Sequence, residues 1–178
     1  MKADISPPIA TPAEALWVDG ELIRSLMRAE HSTQALGLFL IPVYLGVLWR
    51  DAPLPALLAW TVLTLAAVCA RFAITAKYKR EVMRAGHEAH QEFFSRYRFV
   101  WPVSAALWGM STGLYFDRAP LSDQFVCWLA LAGLAMFSIN SSSSHLPTMR
   151  SYLNTLALTA LAAMVWRIQS TLASTSSS

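Results

Sequence analysis

Residues 53–75, PLPALLAWTVLTLAAVCARFAIT, decide the fold. The stretch carries one charged residue, Arg71, near its C-terminal end. An apolar run of this length matches the roughly 20 residues a helix needs to cross a bilayer. It lacks the period-two alternation of a transmembrane barrel strand, and an open sheet would leave backbone groups unpaired in lipid. Four further stretches read the same way, at residues 33–49, 99–116, 124–141 and 151–166. The expected fold class is therefore all-α, a polytopic transmembrane helix bundle of about five spans. The first and last are short for a crossing and need flanking residues to complete it. Pro42 and Pro102 lie inside spans, where proline frees a carbonyl and can kink the helix.

The composition of the whole chain agrees. Of 178 residues, 55% are hydrophobic and 14% charged, and the mean hydropathy is +0.41. About a quarter of the residues in a soluble domain are charged, so this chain lacks the polar surface of a soluble globule. Seven Trp suit the membrane–water interface. The net charge of +3 is read by position, and no nucleic-acid partner is expected.

Of the 14 Lys and Arg, Lys2, Arg24 and Arg28 precede the first span. Arg71, Lys77, Lys79, Arg80, Arg84, Arg96 and Arg98 gather around the connection between the second and third. Arg150 joins the fourth to the fifth. Only Arg50, Arg118 and Arg167 fall on the opposite side. That asymmetry predicts a multi-pass protein of the bacterial inner membrane with a cytoplasmic N-terminus. The N-terminal segment does not have the pattern of a secretory signal. Cys69 and Cys127 fall toward opposite ends of their spans, so no disulfide is expected.

Three regions follow. Residues 1–31 are expected to form a cytoplasmic tail and an amphipathic surface helix, opened by a Thr11–Glu14 capping box with Pro12 at its first position. Residues 32–169 form the transmembrane bundle, and residues 170–178 a disordered Ser/Thr tail. The long basic connection reads as a helical hairpin bent near Gly86, supported by i,i+4 pairs Lys77–Glu81, Arg84–Glu88 and Glu92–Arg96. Its cations either attract anionic lipid or serve only to set topology.

Little in the chain suggests chemistry. Within the predicted spans Arg71 is the one ionisable side chain of the Asp, Glu, Lys and Arg set, placed to snorkel. Transporters normally set such groups along their pathway. No phosphate-binding glycine loop and no nucleophile–base spacing occurs, so neither enzyme activity nor a catalytic residue is expected. His87 and His90, near Glu92, do not make the H-E-x-x-H zinc pattern. With His31 and His145 they read as solvated loop histidines, and no metal or cofactor is expected.

Two polar features remain. Ala105, Gly109 and Gly113 recur every fourth residue, which lets helices approach closely, either within one protomer or across a homodimer. The run Asn140–His145 ends the fourth span. One reading is a ligand-binding polar pocket lined by Trp108, Asn140, Ser144, His145 and Asn154. The other is helix-end capping and interhelical hydrogen bonding.

The layout resembles the membrane-associated sensory (MASE-type) domains at the N-termini of bacterial diguanylate cyclases. The likeness is carried by Glu21-Leu22-Ile23-Arg24, the span ending at Trp49, Arg71-Phe72, and Lys77-Tyr78-Lys79-Arg80. It continues through Arg96-Tyr97-Arg98-Phe99, Leu107-Trp108-Gly109 and Leu131-Ala132-Gly133, covering most of residues 21–168. The resemblance implies a non-enzymatic sensory input module. It would perceive an apolar or membrane-proximal small molecule and pass the signal to a cytoplasmic signalling output domain that this chain does not contain. No Gly-Gly-Asp/Glu-Glu-Phe cyclase motif occurs. The resemblance also implies an even number of spans, typically six, so five is a departure from it. The alternative class is a small integral-membrane structural or assembly protein acting by helix packing.

Overall fold

A computed structural model describes residues 11–176. Lys2 and the last two residues of the expected tail lie outside them. Among the described residues there is no strand, and seven helices follow one another: α1 (Pro12–Leu48), α2 (Leu54–Glu81), α3 (His87–Tyr97), α4 (Val100–Met110), α5 (Thr112–Tyr115), α6 (Leu121–Ser142) and α7 (Leu146–Ser176). Four segments are long and apolar enough to cross a membrane: Leu16–Leu48, Leu54–Glu81, Leu121–Ser142 and Leu146–Ser176. The remaining crossing is divided between α4 and α5 at Ser111. There the Ser111 hydroxyl donates to the Trp108 carbonyl at 2.6 Å, a local bond of the kind that bends helices. The protein is an all-α membrane bundle of about five spans.

The expected surface helix and first span run together as one helix. α1 is unbroken, with Pro42 inside it. Its buried stripe explains why: Ile23, Met27, Glu30, Gln34, Gly37, Ile41, Tyr44 and Leu48 fall three or four residues apart on one face. The N-terminal capping box forms, with Glu14 N–H donating to Thr11 Oγ1 at 3.3 Å and Thr11 N–H to the Glu14 carboxylate at 2.7 Å. α2 repeats the pattern with Leu57, Trp60, Thr64, Val68, Arg71, Thr75 and Tyr78.

The spans close into a ring. α1 packs on α2, α2 on α4, α4 and α5 on α7, α7 on α6, and α6 back on α1. Tyr44, Trp60 and Trp108 fill the ring toward its short-loop end, with ring centroids 5.2–5.6 Å apart. Their polar tips are satisfied where these pack: Trp60 Nε1 donates to the Leu107 carbonyl at 2.8 Å, and Tyr44 OH to the Cys127 carbonyl at 3.0 Å. α3 lies across the opposite, basic end against α1, where Gln91 donates to Asp19 at 2.9 Å.

Several local expectations change. Pro102 stands in the first turn of α4, where backbone N–H groups have no intrahelical acceptor and its missing N–H costs little. Of the three i,i+4 pairs, Lys77–Glu81 closes at 3.9 Å. Arg84 instead falls in the turn before α3, so it cannot meet Glu88 on a shared helix face. The tail is also corrected: α7 continues through Ser176, and Thr171 ties it back by donating to Asp117 at 3.0 Å. Both cysteines are free thiols.

Candidate functional site

The candidate site is a polar layer inside the ring, to which all five spanning segments contribute. α2 supplies Arg71, whose Nε donates to Glu30 Oε1 of α1 at 2.8 Å and whose Nη2 reaches the same oxygen. Arg71 Nη1 donates to Ser104 Oγ of α4 at 3.1 Å. Tyr152 of α7 faces Arg71 and Ser138 of α6. One turn further along, Gln34 Nε2 donates to Thr75 Oγ1 at 3.1 Å. Thr75 in turn donates to the Arg71 carbonyl at 2.9 Å. Thr33 donates to Ser141 Oγ at 2.7 Å, joining α1 to α6.

Every one of these side chains is buried. A charge in such surroundings must be paired, since moving a lone ion out of water costs several kcal/mol. The pairing leaves a residue of unmet capacity. Glu30 Oε2, Gln34 Oε1, Ser138 Oγ and Tyr152 OH are buried without a hydrogen-bond partner among the described residues. Four such atoms in one layer leave its hydrogen-bond network only partly satisfied.

Two expectations from the sequence are corrected here, both for reasons of register. Arg71 does not snorkel: it faces the ring interior with 6% of its side chain exposed. Glu30, which falls in the surface helix expected over residues 1–31, lies instead on the buried stripe of α1 with 1% exposed. The spans therefore hold an ionisable pair, and transport is no longer disfavoured by the lack of one.

The basic end carries a second polar group. Tyr78 OH lies 2.8 Å from His90 Nδ1, and Arg24 Nη2 lies 3.5 Å from His90 Nε2. His90 is fully buried. Burial pushes its pKa below the ordinary histidine value, and the positive charge of Arg24 and the neighbouring His87 add to that. His145 is buried too, against Phe94, with Nδ1 2.7 Å from Thr148 Oγ1. Burial likewise lowers its pKa, against an opposing pull from Asp19. His90 and His145 are thus packed side chains rather than solvated ones. Among the described residues no three of His, Cys, Asp and Glu gather to hold a metal ion.

The structure separates the predicted pocket residues. His145 lines a cleft of about 320 Å³ with Phe94, Arg98, Phe99, Pro102 and Thr148. Trp108 belongs to the aromatic cluster within the ring. Asn140 and Asn154 are exposed on the outside of α6 and α7. Ser144 Oγ is buried without a partner. Ala105 and Gly109 are buried on α4, and a Cβ on Gly109 would stand 2.6 Å from the Leu156 carbonyl oxygen of α7. Gly113 faces Ala163 of α7 at ordinary contact distance.

No family model, curated protein or solved structure matches the chain.

Proposed function

We propose that the chain is a non-enzymatic sensory or regulatory input module of the bacterial inner membrane. In this reading the N-terminus and the basic end face the cytoplasm. The module perceives an apolar or membrane-proximal ligand and biases a cytoplasmic signalling output of the kind found with MASE-type domains. The observation that carries the reading is the polar layer around Arg71. It ties α1, α2 and α4 together, and one face of α2 continues from Arg71 through Thr75 to Tyr78, which meets His90 of α3. A ligand shifts such a system only by binding two helix arrangements with different affinity. Unpaired polar atoms are costly in a buried layer, so a repacking of the helices that pairs them is a second arrangement for a ligand to favour.

The test uses the full chain in lipid nanodiscs and reads amide exchange across α3. Glu30→Gln, compared with wild type under conditions where circular dichroism shows equal helix content, is expected to lower protection at His87–Tyr97. Unchanged protection there would remove the link on which the reading depends.

A second reading, a small assembly protein, draws on Asn140 and Asn154. Their amides face outward from apolar helices, where amides hydrogen-bond across helix interfaces. Mass measurement in nanodiscs distinguishes it: a stoichiometric complex lost in Asn140→Ala/Asn154→Ala favours assembly, and a lone protomer removes it.

A further inference from the structure

On the outside of the ring, the short α4–α5 crossing is set between α2 and α7 and leaves a recess of about 490 Å³. Its walls are Ala56 of α2, Met110 and Gly113 along α4–α5, and Ala162 and Trp166 of α7, with Arg118 at the rim. We propose that this recess holds one acyl chain of an anionic phospholipid, with the lipid phosphate on Arg118 and Arg167. The inference deepens the sensory reading by naming the class of apolar ligand, and rests on that reading for its consequence alone.

The recess has the size of a small-molecule site, typically about 300–1,000 Å³, and its wall residues are almost entirely apolar. In a bilayer such a groove is filled by a lipid chain. The rim chooses the headgroup. Arg118 lines the recess with Trp166, the neighbour of Arg167, and the Thr171–Asp117 hydrogen bond ties this end of α7 to the segment that carries Arg118. Burial first, and then the charge of Arg167, lower the Arg118 pKa. Among the described residues neither forms an ion pair with a carboxylate. The nearby Asp117 carboxylate accepts from Thr171. Arg167 Nη1 donates to Ser170 Oγ at 3.3 Å, while its Nε is buried without a partner. Two guanidiniums at one end of an apolar groove, neither closed into an ion pair with the nearby Asp117, complement a phosphate attached to a chain. Trp166, exposed beside them, belongs at the same interfacial depth.

The experiment exposes the purified full chain to an equimolar mixture of phosphatidylglycerol and phosphatidylcholine with identical chains. Lipids retained on the protein are counted by native mass spectrometry. Wild type is expected to keep one phosphatidylglycerol in preference to phosphatidylcholine. Arg118→Gln/Arg167→Gln should reduce that preference by about five-fold or more, the weight of one cation at an anionic surface. Ala162→Leu, which fills the recess and leaves the charge, should lower retention of both lipids. Arg50→Gln, an exposed cation at the same end, should change neither. Equal retention of the two lipids by wild type, or an equal loss in Arg50→Gln, overturns the proposal. Should the double arginine variant not fold, Ala162→Leu decides alone. Amide exchange of α3 in discs of each lipid is read separately. A retained phosphatidylglycerol with unmoved α3 counts against the sensory reading and leaves the lipid site standing.

Discussion

Arg71 Nε donates to Glu30 Oε1 at 2.8 Å, and both side chains are buried inside the ring of helices. Glu30 Oε1 takes two of the guanidinium donors while Oε2 takes none, so the pair is held at one corner. Removing either partner leaves the other charge buried alone. Glu30→Gln and Arg71→Met should each destabilise the protein by about 3–5 kcal/mol, and the double variant should recover much of that. Reversible unfolding in mixed micelles measures the cycle. Additive losses in the double variant would mean that the two charges do not interact.

Gly109 gives a steric prediction. An added methyl would meet the Leu156 carbonyl oxygen at 2.6 Å and the Ala160 nitrogen at 3.0 Å, both backbone atoms of α7 that cannot swing aside. Gly109→Ala should therefore cost about 1–3 kcal/mol by overpacking, although alanine is the better helix former. Gly133, with nothing within 4 Å of the same position, supplies the control. Gly133→Ala should lie within about 0.5 kcal/mol of wild type.

His90 makes the basic end sensitive to acid. Its folded pKa is depressed by burial, by Arg24 and by His87, with Glu21 and the Ala85 backbone pulling the other way. The unfolded chain therefore takes up the proton first as pH falls. The contribution of His90 is fully present above its unfolded value of about 6.5 and is lost as pH drops through that value toward the lower folded one. His145 titrates with the same sign. Thermal unfolding between pH 7.5 and pH 5 should show a falling midpoint, and His90→Gln should flatten the fall. A midpoint that rises on acidification contradicts the assignment.

Asn140 and His145, five residues apart, should respond differently to the same truncation. Asn140 is exposed, so Asn140→Ala should change protomer stability in micelles by no more than about 0.5 kcal/mol. His145→Ala strands the buried Thr148 hydroxyl, which lies 2.7 Å from His145 Nδ1, and should cost about 1–3 kcal/mol. Equal effects would mean that the two face similar surroundings.

The spans were legible in the sequence because a run such as residues 53–75 has no alternative to a buried or lipid-facing helix. The centre of the candidate site was less so. Glu30 follows Asp19, Glu21, Arg24 and Arg28, so it reads as one more charge on a solvated face. A usable signal was present nonetheless. Glu30, Thr33 and Gln34 share one face of α1, and Arg71, Thr75 and Tyr78 share one face of α2, with opposite charges at the head of each set. Period alone marks these positions as inward once the apolar stripe is followed through residue 30. Asn140 and Asn154 misled in the opposite sense. Polar side chains near the end of a span suggest a pocket, yet their register on α6 and α7 turns them outward. Pairing between distant helices, as between Thr33 and Ser141, carries no local sequence mark.

The divided crossing has a mechanical consequence. α4 and α5 together run roughly 24 Å along the axis at 1.5 Å per residue, against a hydrocarbon thickness of about 30 Å. α2 and α7, on either side, are long enough to traverse it fully. The bilayer therefore meets a low wall on one flank of the ring and high walls beside it. Such mismatch costs fractions of a kcal/mol per Å. Acyl-chain length thus becomes a load applied to α4–α5, the segment that holds Ser104 against Arg71.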